Sequence, residues 1–123
     1  MLKPGGEIAV AVPDFGCWQR RLFEASWFHL DVPRHLQHFT STTLAGIGAE
    51  AEFQDVAVTR YSSLNGLPNS VQYALLGRLI LPQRGPEARL TSLCYRLLHA
   101  ITRGLPGDHL LLTGRRGSGE VPV

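Results

Sequence analysis

Glu7-Ile8-Ala9-Val10-Ala11-Val12 is the stretch on which the fold turns. It is short, rich in β-branched residues and almost wholly apolar, which reads as a parallel strand covered on both faces. Pro4-Gly5-Gly6 before it is a turn signal, and Pro13 ends it, because proline cannot donate to a β-ladder. The strand's carboxyl end therefore falls near Asp14, with Asp14-Phe15-Gly16 as the exit loop. A strand of this kind needs neighbours on both sides.

The rest of the chain supplies few of them. A short amphipathic helix is expected over Cys17–Ala25, with Trp18, Leu22 and Ala25 on its core face. Thr40 is a good N-cap for a helix over Ser41–Ala51, with Phe39 stapled to Leu44 and with Leu44, Ile47 and Ala51 facing the core. Gly46 and Gly48 each cost that helix about 1 kcal/mol relative to Ala. Asp55–Tyr61 alternates as a second strand, with Val56 and Val58 on one face. Asn69–Leu81 reads as a helix bearing Leu75, Leu76, Leu79 and Ile80, broken by Pro82-Gln83-Arg84-Gly85-Pro86. In Glu87–Arg103, Leu90, Leu93, Cys94, Leu97, Leu98 and Ile101 recur at helical spacing, and Gly104 stands where a left-handed cap is wanted. Asp108–Thr113 is the last strand, and the glycine-rich remainder is a frayed tail. About three strands and four helices make an α/β domain with a small sheet, so the chain reads as part of a larger domain.

Composition narrows the function. The 123 residues carry a net charge of +2 and are 44% hydrophobic. That suits one globular domain, without the continuous basic stripe of a nucleic-acid binder. Cys17 and Cys94 are too few and too far apart for a disulfide scaffold, no signal peptide opens the chain, and a cytoplasmic location is the expectation. Leu64–Leu81 is too interrupted by polar residues to span a membrane, which takes about 20 mostly apolar residues. His35 and His38 lack a third ligand at useful spacing, so no metal is expected. Cys17 has no base beside it and makes a weak nucleophile candidate.

Open α/β sheets bind ligands beyond the carboxyl ends of their strands, which nominates Asp14, Phe15 and Gly16. The loop Trp27-Phe28-His29-Leu30-Asp31-Val32-Pro33-Arg34-His35-Leu36-Gln37-His38-Phe39 is dense in aromatic and ionisable residues and is placed to close over that edge. Asp31, His35 and His38 are candidate bases, with His35 the first choice. The competing structural roles are specific as well: Asp31 capping the Pro33 turn, His35 bonded to a loop carbonyl, Arg34 paired with a carboxylate, and Trp18, Trp27 and Phe28 in the core.

Leu2-Lys3-Pro4-Gly5-Gly6 before the first strand, the Trp27–Thr40 run, the helix ending Ala51-Glu52-Phe53 and the late Gly107–Leu112 strand together resemble the C-terminal half of a class I S-adenosylmethionine-dependent methyltransferase. The Leu30–Thr40 run looks like the branch that includes quinone-biosynthesis-type enzymes. The resemblance implies part of a Rossmann-like seven-stranded sheet. Glu7–Val12 would be its fifth strand, Asp55–Tyr61 the sixth, and Asp108–Thr113 an antiparallel seventh inserted between them. It implies a partial domain over residues 1–114 with a helical insertion at 64–106, a flexible tail over 115–123, and cofactor-binding residues mostly upstream of Met1. It also implies transfer of a methyl group from S-adenosylmethionine to a small-molecule acceptor, by a chain inactive alone. His35 and Asp31 would be catalytic, and Asp14, Phe15, Trp27, Arg34 and His38 would bind substrate. Two departures stand out: Glu52 replaces the usual helix-ending glycine, and the connection from Tyr61 to Asp108 is long. Its two apolar helices could cover the acceptor pocket, meet a partner subunit or rest on a membrane surface. The competing reading is a non-catalytic interaction or membrane-surface module built on helices 69–81 and 87–103.

Overall fold

Lys3-Pro4-Gly5-Gly6 forms the expected turn. Gly6 N–H donates to the Lys3 carbonyl at 2.9 Å, and Gly5 takes a φ of +71° that a side chain would resist. From this turn the computed structural model, which describes residues 2–79 and 86–117, runs into β1 (Glu7–Pro13), α1 (Trp18–Phe23), α2 (Ser41–Glu50) and β2 (Phe53–Tyr61). It continues through α3 (Gly66–Leu76), α4 (Pro86–Ile101) and β3 (His109–Arg116). Glu24–Ser26 and Phe28–Leu30 are single 3₁₀ turns. The break expected at residues 82–86 begins outside the described residues.

The result is a mixed α/β fold with four α-helices and one three-stranded sheet among the described residues, in the order β1-β3-β2. β3 lies between the other two strands and is antiparallel to both, with Val10 and Val58 each opposite Leu112. β2 starts at Phe53, two residues earlier than its alternation suggested, because a bulge between Gln54 and Ala57 interrupts the ladder. Asp55 sits there at φ +52°. β3 runs to Arg116 rather than stopping at Thr113, with Arg116 N–H donating to Gly6 O at 2.8 Å. The first residues expected in the tail are therefore strand, and residues 118–123 lie outside the described part.

One face of the sheet is covered. α2 lies on it, and Leu44, Leu110 and Leu112 form a buried cluster with Ile8, Val10, Val12, Phe39, Val56 and Val58 packed around it. Thr40 caps α2 as expected, accepting from Thr43 N–H while the Thr43 hydroxyl accepts from Thr40 N–H. The inward face differs from expectation: Leu44 and Gly48 are buried, whereas Ile47 and Ala51 are exposed. Gly48 has a packing reason, since a Cβ there would lie 2.9 Å from Val56 Cγ1 and 3.0 Å from Leu112 Cδ1. At Gly46 the same atom meets nothing within 4 Å. Gly46→Ala should therefore raise stability by up to about 1 kcal/mol, the helix-propensity gain. Gly48→Ala should lower it by about 1 kcal/mol, because overpacking exceeds that gain. Thermal melts of the two variants moving in the same direction would contradict this packing.

The expectation for β1 is corrected. Glu7, Ala9 and Ala11 are exposed and the strand lies at the sheet edge, hydrogen-bonded on one side only. The alanines made the run apolar throughout, but they are too small to indicate burial, and only Ile8, Val10 and Val12 point into the core. Two helix faces are corrected as well. In α1, Leu22 is 64% exposed and Ala25 lies beyond the helix, while Gln19 is buried. α3 begins at Gly66, ahead of Pro68, whose missing N–H is harmless in a first turn. It buries Leu67, Asn69 and Ser70, leaves Leu75 and Leu76 exposed, and ends at Gly77 with φ +65°. Leu79 lies past the helix, and Ile80 is outside the described residues. No helix among the described residues is long and apolar enough to cross a membrane.

Candidate functional site

The carboxyl ends of β1 and β2 and the start of β3 meet at one end of the sheet, where Pro13, His109 and Tyr61 lie side by side. The 27–39 loop folds against this end, as Phe15 N–H donates to Phe39 O at 2.8 Å. Its first 3₁₀ residues dock on α3, where the buried Ser70 hydroxyl accepts from Phe28 N–H at 2.9 Å and donates to Gly66 O at 2.7 Å.

The predicted site residues divide between two tasks. Trp27 and Asp31 line a cleft of about 320 Å³ with Ala25, Phe28, Leu30, Val32 and Tyr73. Phe28 and Tyr73 stack across it with ring centroids 6.3 Å apart. The residues lining the cleft include one carboxylate, Asp31. Asp31 adopts φ +33° next to the cis Val32–Pro33 peptide, and it lies 3.6 Å from the exposed Arg34 guanidinium.

The other predicted residues support this loop. His35 Nδ1 donates to the His29 carbonyl at 3.0 Å and His38 Nε2 to the Leu30 carbonyl at 3.1 Å. A carbonyl only accepts, so the ring nitrogen in each of these bonds carries a proton. The Asp31 carbonyl accepts from both Arg34 and His35 N–H groups, closing the Pro33 turn. Phe15 packs on His38 at 5.0 Å and on Trp27 at 6.2 Å, with the Arg20 guanidinium 4.5 Å from its own ring.

Asp14 does not line a crevice. It is fully buried, with one carboxylate oxygen accepting from Arg60 Nε at 2.7 Å and the other from Gly16 N–H at 2.8 Å. Cys17, which caps α1 by accepting from Arg20 N–H, is buried, and burial pushes its thiol up, the wrong direction for a nucleophile.

The most highly constructed polar group at this end went unread in the sequence. Asp108, fully buried, accepts at Oδ1 from Ser63 N–H at 2.7 Å and His109 Nδ1 at 3.3 Å. At Oδ2 it accepts from the Ser63 hydroxyl at 2.7 Å and His29 Nε2 at 3.2 Å. Burial alone would raise its carboxyl, but the bonds from His109, His29 and Ser63 outweigh it and hold the group far below the usual carboxylate range. Two imidazoles and a carboxylate this close are a donor set suited to divalent metals. Here both oxygens are already engaged, and Gly66 packs onto the group so closely that a Cβ would overlap Asp108 Oδ2. The arrangement acts as a tie joining the 28–30 turn, the Ser62-Ser63 connection and β3.

Set beside known proteins, the chain matches no family model, no curated protein and no solved structure.

Proposed function

We propose that this chain forms the acceptor-side part of an S-adenosylmethionine-dependent methyltransferase that delivers a methyl group to a small molecule held in the Trp27–Tyr73 cleft. The observation that carries the reading is the strand order, with β3 inserted between β1 and β2 and antiparallel to both. The sequence resemblance implies that order for the last three strands. Glu52 adds support. It occupies φ +59°, the left-handed conformation that a helix-ending glycine adopts without strain, at the position where the resemblance places one.

S-adenosylmethionine itself does not fit the described residues. The cleft at this end is small, about 320 Å³, and the two fully buried carboxylates, Asp14 and Asp108, have both oxygens occupied within the chain. No step is therefore routed through the cofactor. In this reading it is held by further strands beside the open edge of β1. The part played by this chain is to hold the acceptor. Trp27, Phe28 and Tyr73 form a wall that excludes water, and Asp31 offers a carboxylate to an acceptor O–H or N–H. The Trp27 indole N–H is buried without a partner among the described residues, and an acceptor bearing an oxygen would supply one.

Titration with labelled S-adenosylmethionine should show no saturable binding to the 123-residue chain. The in-frame nucleotides upstream of Met1 should encode a glycine-rich strand–loop–helix, and the extended product should bind the cofactor. Micromolar binding by the chain alone would overturn the acceptor-side assignment. An upstream sequence without such a segment would overturn the methyltransferase reading.

A further inference from the structure

A helix with one apolar stripe normally turns that stripe to the core. α4 does the reverse. Leu93, Leu97 and Ile101 are 52%, 53% and 78% exposed, while Leu98, at the flank of the stripe, and Tyr95 and Thr102, opposite it, are half-buried. The helix is held to α3 by polar bonds: the Tyr95 hydroxyl donates to Asn69 Oδ1 and accepts from Gln72 Nε2 at 2.8 Å. Its outward orientation is thus built in by specific side chains.

Arg89, Arg96 and Arg103 recur at intervals of seven, which keeps them on a single stripe along the helix and its C-terminal turn, and all three are exposed. That stripe borders Leu93 and Leu97. It spans about 21 Å at the helical rise of 1.5 Å per residue. Arg96 and Arg103 also line, with Asn65, Tyr95 and His99, an open cavity of about 540 Å³ between the start of α3 and α4. The charge is concentrated here: residues 64–107 contain five arginines and the single carboxylate Glu87, whereas residues 1–63 contain seven carboxylates and five cationic side chains. An apolar strip edged by guanidinium groups matches one surface chemistry, acyl chains beneath a layer of anionic phosphates.

We propose that α4 binds the surface of an anionic phospholipid bilayer, lying in its plane with Leu93, Leu97 and Ile101 below the phosphates and Arg89, Arg96 and Arg103 paired with them. This goes beyond the methyl-transfer reading and does not depend on it.

Flotation of the full chain with vesicles tests the assignment. The chain should float with equal parts phosphatidylcholine and phosphatidylglycerol, stay behind with phosphatidylcholine alone, and release as sodium chloride screens the phosphates. The double variants Leu97→Ser/Ile101→Ser and Arg96→Gln/Arg103→Gln should each weaken binding by about tenfold or more. Cys94 is exposed and Cys17 buried, so an environment-sensitive dye on Cys94 reads the unaltered helix and should shift to the blue on anionic vesicles. The proposal is overturned by failure to float with anionic vesicles, by an unshifted dye, or by binding that both double variants retain. It is equally overturned by a dimer in solution that Leu97→Ser/Ile101→Ser dissolves, which would assign the face to a second copy of the chain.

Discussion

Asp108→Asn should destabilise the protein by about 3–5 kcal/mol at neutral pH, the cost of breaking a buried charged network by removing one member. The four donors of Ser63, His29 and His109 converge on a carboxylate that is acceptor-only. An amide keeps one oxygen and puts an NH2 group where the other was, so the Ser63 hydroxyl and the His29 ring must each turn from donor to acceptor or lose the bond, and the charge that strengthened all four bonds is gone. Because whole domains are stable by only about 5–15 kcal/mol, much of the folded population is at stake. Acid should distinguish the two proteins further. The folded state holds the Asp108 carboxyl far below its unfolded range, so its contribution is complete above the ordinary carboxylate range, near pH 4, and is lost as the pH falls further. Urea midpoints measured from neutral pH downward should therefore fall for the wild type with a component that the variant lacks. A neutral-pH loss below about 1 kcal/mol, the worth of one ordinary hydrogen bond, would show that the tie contributes little.

Gly66→Ala tests the same group from the other side. Helix propensity favours alanine by about 1 kcal/mol, so the local argument expects a gain. Packing expects a loss of about 3 kcal/mol or more. The added Cβ would overlap Asp108 Oδ2 and lie 2.7 Å from His29 Nε2 and 2.8 Å from Ser63 Oγ, atoms locked together by their own bonds. Gly66 is not in the left-handed region, so space alone demands glycine there. The sign of the change in denaturation midpoint decides between the two arguments, and a Gly66→Ala variant as stable as the wild type would mean that α3 can shift away from the cluster.

These two residues also mark the limit of sequence reading. Local chemistry was legible. The Pro4-Gly5 turn, the Thr40 cap, the Phe39 contact with the Leu44 cluster and the inward Val56 and Val58 follow from steric and periodic rules acting over a few residues. Orientation was less so. The spacing of Leu93, Leu97 and Ile101 defines a stripe on α4 but not what it faces, and Tyr95, which directs the stripe outward, reads as one more amphipathic residue. In α1 the Trp18–Leu22–Ala25 face lost to one that buries Gln19, since six residues carry too little period to choose a side. The Asp108 tie was invisible because its members come from distant parts of the chain, His29 and Asp108 being 79 residues apart. Gly107-Asp108-His109 looked only like the approach to a strand. Even so, a Cβ at Gly107 would overlap the Tyr61 carbonyl, which makes that glycine a requirement of the same junction.

The position of β3 bears on how the protein is made. β1 and β2 share no ladder, and each pairs only with a strand that leaves the ribosome after both. A nascent chain ending before His109 lacks the strand that joins β1 to β2. Every hydrogen bond that joins β1 to β2 through this ladder thus waits for its last segment to emerge, and a translation arrest upstream of it leaves Ile8, Val10, Val12, Val56 and Val58 without the strand they pack beside, an aggregation hazard.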